Sequence, residues 1–553
     1  MARSPLFGIL QRAARIAAAA NASPAPLDEL VERMHTQRTD ASRRRFLRDG
    51  SAAAAGLLLA GCAGRLQIMA PSSDEEVVIV GAGIAGLTAA WRLHQAGVRV
   101  RIIEAQNRVG GRMFSLRGYF PDAQVIELGG ELIDSGHLRI RALAAEMGLV
   151  LDDLQEPDLL IKNGPNKSEL WWTNGRAVSE AEIIHAFVPV AAAIKRDLAT
   201  LGDGDILYNA PQNAQALDAL TVSQWLDRND VKGWLRRLIE VAYTTEMGLE
   251  CDQQSALNLL TFIGTGKDEF RIFGESDERY HVRGGNDSIP RALAAKLSGA
   301  IETGTVLEAI TQRANGDFVL ALKQAAASRE LRASHVLLAI PFTTLRQVRI
   351  DVPLPAVKLR AIRELRYGTN AKLMIGFNQR VWRERYHTNG SVYADLPFQT
   401  TWETTRKQAG VGGVLVNFVG GRHGIEVGQG SAQAQADKTA RELDAVFPGI
   451  AATRDGAREV RMHWPSFAWT QGSYACFGSG DWTTLRGAMG ETVGRLFFAG
   501  EHCALDTQGF MEGGCESGET AAQAILRSLG RIVPDTKAAS ARGYRGNRSR
   551  AIA

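Results

Sequence analysis

Residues Val77–Arg112, VVIVGAGIAGLTAAWRLHQAGVRVRIIEAQNRVGGR, decide the fold. Val77–Val80 is apolar and rich in β-branched residues, as suits a parallel strand covered on both faces. Gly81, Gly83 and Gly86 follow with GxGxxG spacing, and Ile84 and Ala85 stand between the second and third. The first glycine permits a tight turn, the second lets backbone approach a pyrophosphate, and the third lets the next helix pack on the sheet. The N-terminus of that helix offers free N–H groups and partial positive charge to phosphates. Glu104 ends the second strand, Val98–Ile103, where a carboxylate accepts ribose hydroxyls; Ala105 follows it. GxGxxG alone is a weak signal. Strand, turn, helix, strand and acid in this order identify a dinucleotide-binding βαβ unit.

That order does not choose between NAD and FAD. Arg108-Val109-Gly110-Gly111-Arg112 does, because it resembles the signature of the flavin-containing amine oxidase family of monoamine, polyamine and L-amino-acid oxidases. The resemblance implies that Gly111 lies close to FAD and Arg112 on its pyrophosphate side. It runs over about residues 75–530 and implies an α/β fold. A Rossmann-like FAD-binding domain would be assembled from the discontinuous segments 74–149, 276–345 and 466–530. An α+β substrate-binding domain would be inserted as 150–275 and 346–465.

At 553 residues the chain exceeds what one core serves, so two intertwined domains are expected. The net charge of +4 is carried entirely by residues 1–61, where nine arginines face five acids. The rest is neutral, and no nucleic-acid partner is implied. Ser42-Arg43-Arg44-Arg45-Phe46-Leu47 matches the twin-arginine export pattern, and the weakly apolar Gly50–Ala60 behind it is too short to span a bilayer. A protein that closes around a flavin before leaving the cytoplasm needs a route for folded cargo. Leu59-Ala60-Gly61-Cys62 resembles a lipobox, which implies Cys62 as a lipidated mature N-terminus; cleavage nearby with a soluble product is the alternative. The expectation is therefore a periplasmic protein that meets the twin-arginine machinery and touches membrane only through that anchor. Residues 531–553 read as a basic, disordered tail. Five cysteines form no disulfide framework, and no Cys/His spacing suggests a metal.

Further along, Val125–Leu128 reads as a strand entering Gly129-Gly130-Glu131-Leu132. Ala181–Leu201 and Val222–Met247 read as helices, and Tyr280–Leu297 as a glycine turn opening a helix. Strands are expected at Ile301–Val306 and Val336–Ile340, in the first sheet, and at Lys372–Phe377 and Gly413–Val419. Gln433–Val446 and the closing Gly513–Leu529 read as helices, and Arg495–Glu501 as a strand. The resemblance places Gly129, Gly130, Glu131, Leu132, Val306 and Trp464 along the cofactor, and Glu501 at its diphosphate–ribityl region. Gln508-Gly509-Phe510-Met511-Glu512-Gly513 would lie along the flavin, with a helix N-terminus aimed at the edge that becomes negative on reduction.

Ser473 stands where covalently flavinylated members place a cysteine, implying non-covalent FAD; Cys476 is the nearest other thiol. Tyr474 and Phe510 fall at the positions of two rings facing each other across the substrate amine, an arrangement that orients an amine by its π faces. Their alternative is a core role. Lys372 matches the family lysine that holds a water against flavin N5. Leu132 occupies the position of the arginine that holds an α-carboxylate, so an amine without a carboxylate is favoured. Asp134 lies near where polyamine-type members carry an acid for a second ammonium; a turn residue is the other reading. Together these imply an FAD-dependent oxidase of small amines. Hydride passes from the amine α-carbon to N5, giving an imine and then aldehyde plus ammonia, while O2 or another acceptor takes the electrons and O2 becomes H2O2. Three alternatives stay open: an L-amino-acid oxidase with its carboxylate-binding cation on another loop, a desaturase or dehydrogenase feeding a membrane quinone, and a non-catalytic FAD-binding scaffold. A homodimer is compatible with all four.

Overall fold

The structure, a computed structural model, describes residues 76–155, 170–262 and 276–532. The twin-arginine segment, Cys62 and the tail from 533 onward lie outside the described residues.

Five parallel strands carry the glycine turn, in the order Leu496–Phe498, His335–Leu338, Glu76–Val80, Arg99–Ile103, Ile301–Glu302. Glu76–Val80 is the middle strand, and its four apolar residues are all buried, as a sheet covered on both faces demands. Helix Ile84–Gln95 follows it and packs against the closing helix Met511–Ser528. Two glycines allow that contact. A Cβ on Gly514 would lie 2.5 Å from Ile84 Cγ2, and one on Gly518 would lie 2.4 Å from the Ala85 carbonyl oxygen. Residue numbers rise together along both helices, so they run parallel and open their N-termini at the same end.

The expected strand Ile301–Val306 is in fact two. Gly304, at φ +66°, turns the chain, and Thr305–Gln312 leaves the parallel sheet. It joins a separate four-stranded sheet in the order Ala327–Ala333, Phe318–Gln324, Thr305–Gln312, Arg349–Asp351. The expected helix Val222–Met247 also divides. Val222–Arg228 ends, Asp230 and Gly233 take φ of +54° and +65°, and Gly233–Met247 begins again. Left-handed residues cannot continue an α-helix. Thr221 and Gln224 cap the first piece reciprocally.

A seven-stranded sheet, mostly antiparallel, has the order Arg454–His463, Ala371–Phe377, Gly413–Val419, Thr400–Glu403, Val392–Ala394, Leu170–Thr173, Arg176–Val178. Both central strands, Ala371–Phe377 and Gly413–Val419, are buried along their whole length. One face packs Leu373, Ile375 and Phe377 on the helix Ala432–Leu443. The other turns Met374, Val416 and Phe418 toward Ile126, Leu128 and Leu132, the segment that follows the nucleotide-binding unit. No helix among the described residues is long and apolar enough to cross a membrane.

Candidate active site

The three glycines of the first turn do different work. Gly81 has φ +106°, and a Cβ there would lie 2.6 Å from the Ala339 carbonyl oxygen. A Cβ on Gly86 would lie 2.0 Å from the Gly81 carbonyl oxygen. These two are required by the fold. Gly83 has no atom of the described residues within 4 Å of its Cβ position, so its missing side chain leaves space for a ligand. No side chain caps the helix that starts at Ile84, and the first-turn N–H groups of Ile84, Ala85 and Gly86 face the crevice at the carboxyl end of the sheet. Glu104, buried, accepts Ala82 N–H at 2.7 Å and Gln106 N–H at 2.8 Å. Burial raises its pKa above the usual carboxylate range, and lone pairs remain on each oxygen for ribose hydroxyls. Ala105 is half-buried beside it. Thr305 N–H donates to the Glu104 carbonyl at 2.9 Å, which holds Val306 next to this acid although Val306 belongs to the four-stranded sheet.

A second group forms around Arg112. Its Nη1 donates to the Ser473 carbonyl at 2.6 Å and pairs with Glu501 Oε1 at 2.9 Å. Glu501 Oε1 also accepts Ala475 N–H at 3.2 Å, and its Oε2 accepts Gly509 N–H at 3.0 Å. Gly111, at φ +56°, passes within 3.4 Å of Gly83 by its Cβ position. Gly129 could carry no side chain, since a Cβ would meet the Arg112 carbonyl oxygen at 1.8 Å and Trp464 Cζ2 at 3.3 Å. Gly130 N–H donates to the same Arg112 oxygen. Four segments distant in sequence thus meet at one node.

Tyr474 and Phe510 border that node, both buried. Tyr474 Oη donates to the carbonyls of Thr245 and Glu246, and its ring lies 3.6 Å from the Cβ position of Gly509, whose φ is +83°. Phe510 precedes the uncapped helix Met511–Ser528 and stands edge-on to His137, with ring centroids 4.8 Å apart. Gln508 Nε2 donates to the Ala475 carbonyl at 3.4 Å, Met511 is buried, and a Cβ on Gly513 would lie 2.1 Å from the Thr507 carbonyl oxygen. Ser473 Oγ donates to Asn370 Oδ1 at 2.7 Å; a hydroxyl forms no thioether to a flavin. Burial drives the Cys476 thiol well above its ordinary pKa, so it is not a competing nucleophile.

Four of the expected site residues have internal partners. Glu512 accepts Arg139 N–H at 3.0 Å and Ile140 N–H at 2.9 Å, at the start of the helix Leu138–Glu146. Asp134 Oδ1 accepts from Ser276 Oγ, Asp277 N–H and Glu278 N–H, and Oδ2 lies 3.3 Å from His137 Nε2. It ties the loop at 276–278. Lys372 Nζ donates to the carbonyls of Glu127 and Gly129 and to Glu131 Oε2, at 3.1, 2.9 and 2.7 Å. These three acceptors match the three N–H groups of an ammonium. Glu131 is correspondingly the partner of Lys372. Leu132 is buried in the apolar cluster with Met374, Trp402 and Trp464, where a guanidinium would be stranded.

His502 was not anticipated from the sequence. It follows Glu501 at the carboxyl end of Leu496–Phe498, is 1 % exposed, and neither ring nitrogen has a hydrogen-bond partner among the described residues. Burial, then Arg112 and Lys358, push its pKa well below the ordinary value. Its position next to a motif acid was the available signal. An orphaned buried imidazole, an open Cβ space at Gly83, two converging uncapped helix N-termini and an acid with free lone pairs are together what a large anionic dinucleotide requires. The residues fit FAD.

Comparison with known proteins agrees. A family model of flavin-containing amine oxidoreductases matches residues 84–526. The chain is 28 % identical to an L-amino acid dehydrogenase of Synechocystis, over 84 % of this chain and 97 % of that protein. It is 25 % identical to human flavin-containing amine oxidase B, over 84 % of this chain and 88 % of that protein. Among solved structures, cyclohexylamine oxidase from Brevibacterium oxydans superposes with a TM-score of 0.72 at 23 % identity, covering 83 % of this chain and 100 % of that one. Putrescine oxidase follows at 0.69 and 21 %, covering 82 % and 99 %. With one family model spanning nearly all the described residues, and a crevice built for FAD held without a covalent bond, this chain belongs to the flavin-containing amine oxidoreductases.

Proposed function

We propose that the enzyme oxidises small amines lacking an α-carboxylate. Bound FAD supplies the two-electron acceptor for the carbon beside the amine, so that the product is an imine, hydrolysed to aldehyde and ammonia. The protein's part is orientation and electrostatics. The observation that carries the amine reading is the pinning of Tyr474 and Phe510 at the Gly509 turn: one ring is fixed through its hydroxyl to Thr245 and Glu246, the other braced by His137. Rings held this way present their faces without rotating and orient a neutral amine before it reacts. Buried Leu132 supports the absence of a carboxylate. The N-terminus of Met511–Ser528 favours negative charge developing at the cofactor. Anaerobic mixing tests this reading: primary amines should bleach the flavin and L-amino acids should not. Bleaching by L-amino acids alone overturns it.

A second reading, L-amino-acid oxidation, has one specific observation behind it. Arg406, on the loop after Thr400–Glu403, keeps Nε and Nη2 buried with no hydrogen-bond partner among the described residues. It is a guanidinium available for a carboxylate from another loop, and an L-amino acid dehydrogenase is among the relatives. Loss of L-amino-acid bleaching in Arg406→Met would favour it.

The sequence of residues 42–62 supports export by the twin-arginine route to the periplasm, with Cys62 as a lipid anchor. Unchanged export of the Arg43→Lys/Arg44→Lys variant would remove that reading.

A further inference from the structure

We infer that Glu131 neutralises Lys372 beside the flavin site and thereby sets how readily the reduced enzyme delivers electrons to O2 as against a quinone. The inference rests on the FAD-dependent reading above.

The lysine sits in the fully buried strand Ala371–Phe377, and its ammonium crosses to the segment at 127–131. Glu131 Oε2 lies 2.7 Å from Nζ, with the two side chains 3 % and 2 % exposed. Glu131 Oε1 accepts Trp402 Nε1–H at 2.9 Å, and the ammonium lies 5.6 Å from the Trp402 ring centroid. Burial alone would protonate this carboxyl, but Lys372 and the hydrogen bonds hold its pKa below the usual range. The pair is therefore ionised and, seen from outside, neutral.

Its place in the fold makes that neutrality matter. The Gly129 carbonyl gripped by Lys372 belongs to the peptide that leads into Gly130, whose N–H donates to the Arg112 carbonyl. Arg112 in turn holds Ser473 and Glu501. The pair is thus one peptide away from the node that borders the cofactor crevice. In such a dry environment a unit charge is poorly screened. Two electrons and two protons must leave the reduced site, for O2 to give H2O2 or for a quinone to give the hydroquinone. O2 accepts its first electron as an anion, and an uncompensated ammonium nearby would favour that transfer. A neutral pair withholds this help. Glu131 is thus a positioning residue that acts through Lys372.

The variants separate the charge states: Glu131→Gln leaves the ammonium uncompensated, whereas wild type, Glu131→Gln/Lys372→Met and Lys372→Met are all neutral, the last because burial protonates a carboxyl that has lost its lysine. The flavin midpoint potential, from an anaerobic dye titration, should be highest in Glu131→Gln and lower and similar in the three neutral proteins. The ratio of stopped-flow reoxidation rates with O2 and with a short-chain ubiquinone should rise about tenfold in Glu131→Gln and return toward wild type in the double variant. If Lys372→Met fails to fold, Glu131→Gln and the double variant still decide. An unmoved potential and ratio in Glu131→Gln, or a double variant that departs from wild type as far as Glu131→Gln does, overturns the inference. Wild-type protein that takes up no FAD would instead defeat the underlying functional reading.

Discussion

Gly83 and Gly86 belong to one motif but are required for different reasons. Gly83→Ala adds a methyl where nothing lies within 4 Å, at φ −72°, which any residue adopts. Its apo-protein should therefore melt within about 1 kcal/mol of the apo wild type. FAD affinity should still fall by more than about tenfold, because the methyl occupies the space left for the pyrophosphate; fluorescence titration of apo-protein with FAD measures it. Asp481 offers a pH test. Burial pushes its pKa from 3.8 up to about 6. The folded state therefore keeps this proton longer than the unfolded chain. The group's stabilising contribution is complete below pH 3.8 and is lost as pH rises through about 6. Asp481→Asn, which retains an acceptor for Gly478 N–H, should be about 1–2 kcal/mol more stable than wild type at pH 8 and lose that advantage near pH 4, by urea melts at both pH values. The motif acids Glu131 and Glu512 teach a further point. Both look like ligands in sequence, yet a carboxylate's role depends on which donors reach it first.

At the scale of elements, the parallel pairing of Ile84–Gln95 with Met511–Ser528 brings two uncapped N-termini to one crevice. Gly518→Ala puts its Cβ against the Ala85 backbone carbonyl, which cannot swing aside as a side chain can. The helices must separate. We expect a loss of about 1–3 kcal/mol in thermal unfolding together with weaker FAD retention on gel filtration. Elements with strong local signals were legible. Glu76–Val80 and Ala371–Phe377 fall within a residue of the expected bounds, and a helix, Ile84–Gln95, follows the glycine turn as expected, because period and glycine placement are properties of neighbouring residues. Where the chain turned on a non-glycine left-handed residue such as Asp230, or changed sheets at Gly304, apolar periodicity ran straight through the break and hid it.

For the whole molecule, the cofactor crevice draws on Gly83, Glu104, Arg112, Glu501 and the turn at Gly509, so FAD should stabilise the fold as one unit. Apo-protein given FAD at about 100 times its Kd should gain about 2.7 kcal/mol, and calorimetry should show a single transition moving upward. Two transitions, only one of them responsive to FAD, would show that the two sheets unfold independently. The sequence alone determined the nucleotide-binding turn, the family and the cofactor. The turn follows from spacing, from the absence of Cβ atoms and from strand and helix period, and the family and FAD follow from the resemblance carried by Arg108–Arg112, all expressed within a few dozen residues. Only the tertiary structure decided which charged groups remain available to ligands. Lys372 and Glu131 are 241 positions apart, and Glu512 meets the Ile140 amide across 372. A buried charge must find a partner wherever packing supplies one, and no local pattern records which partner that will be.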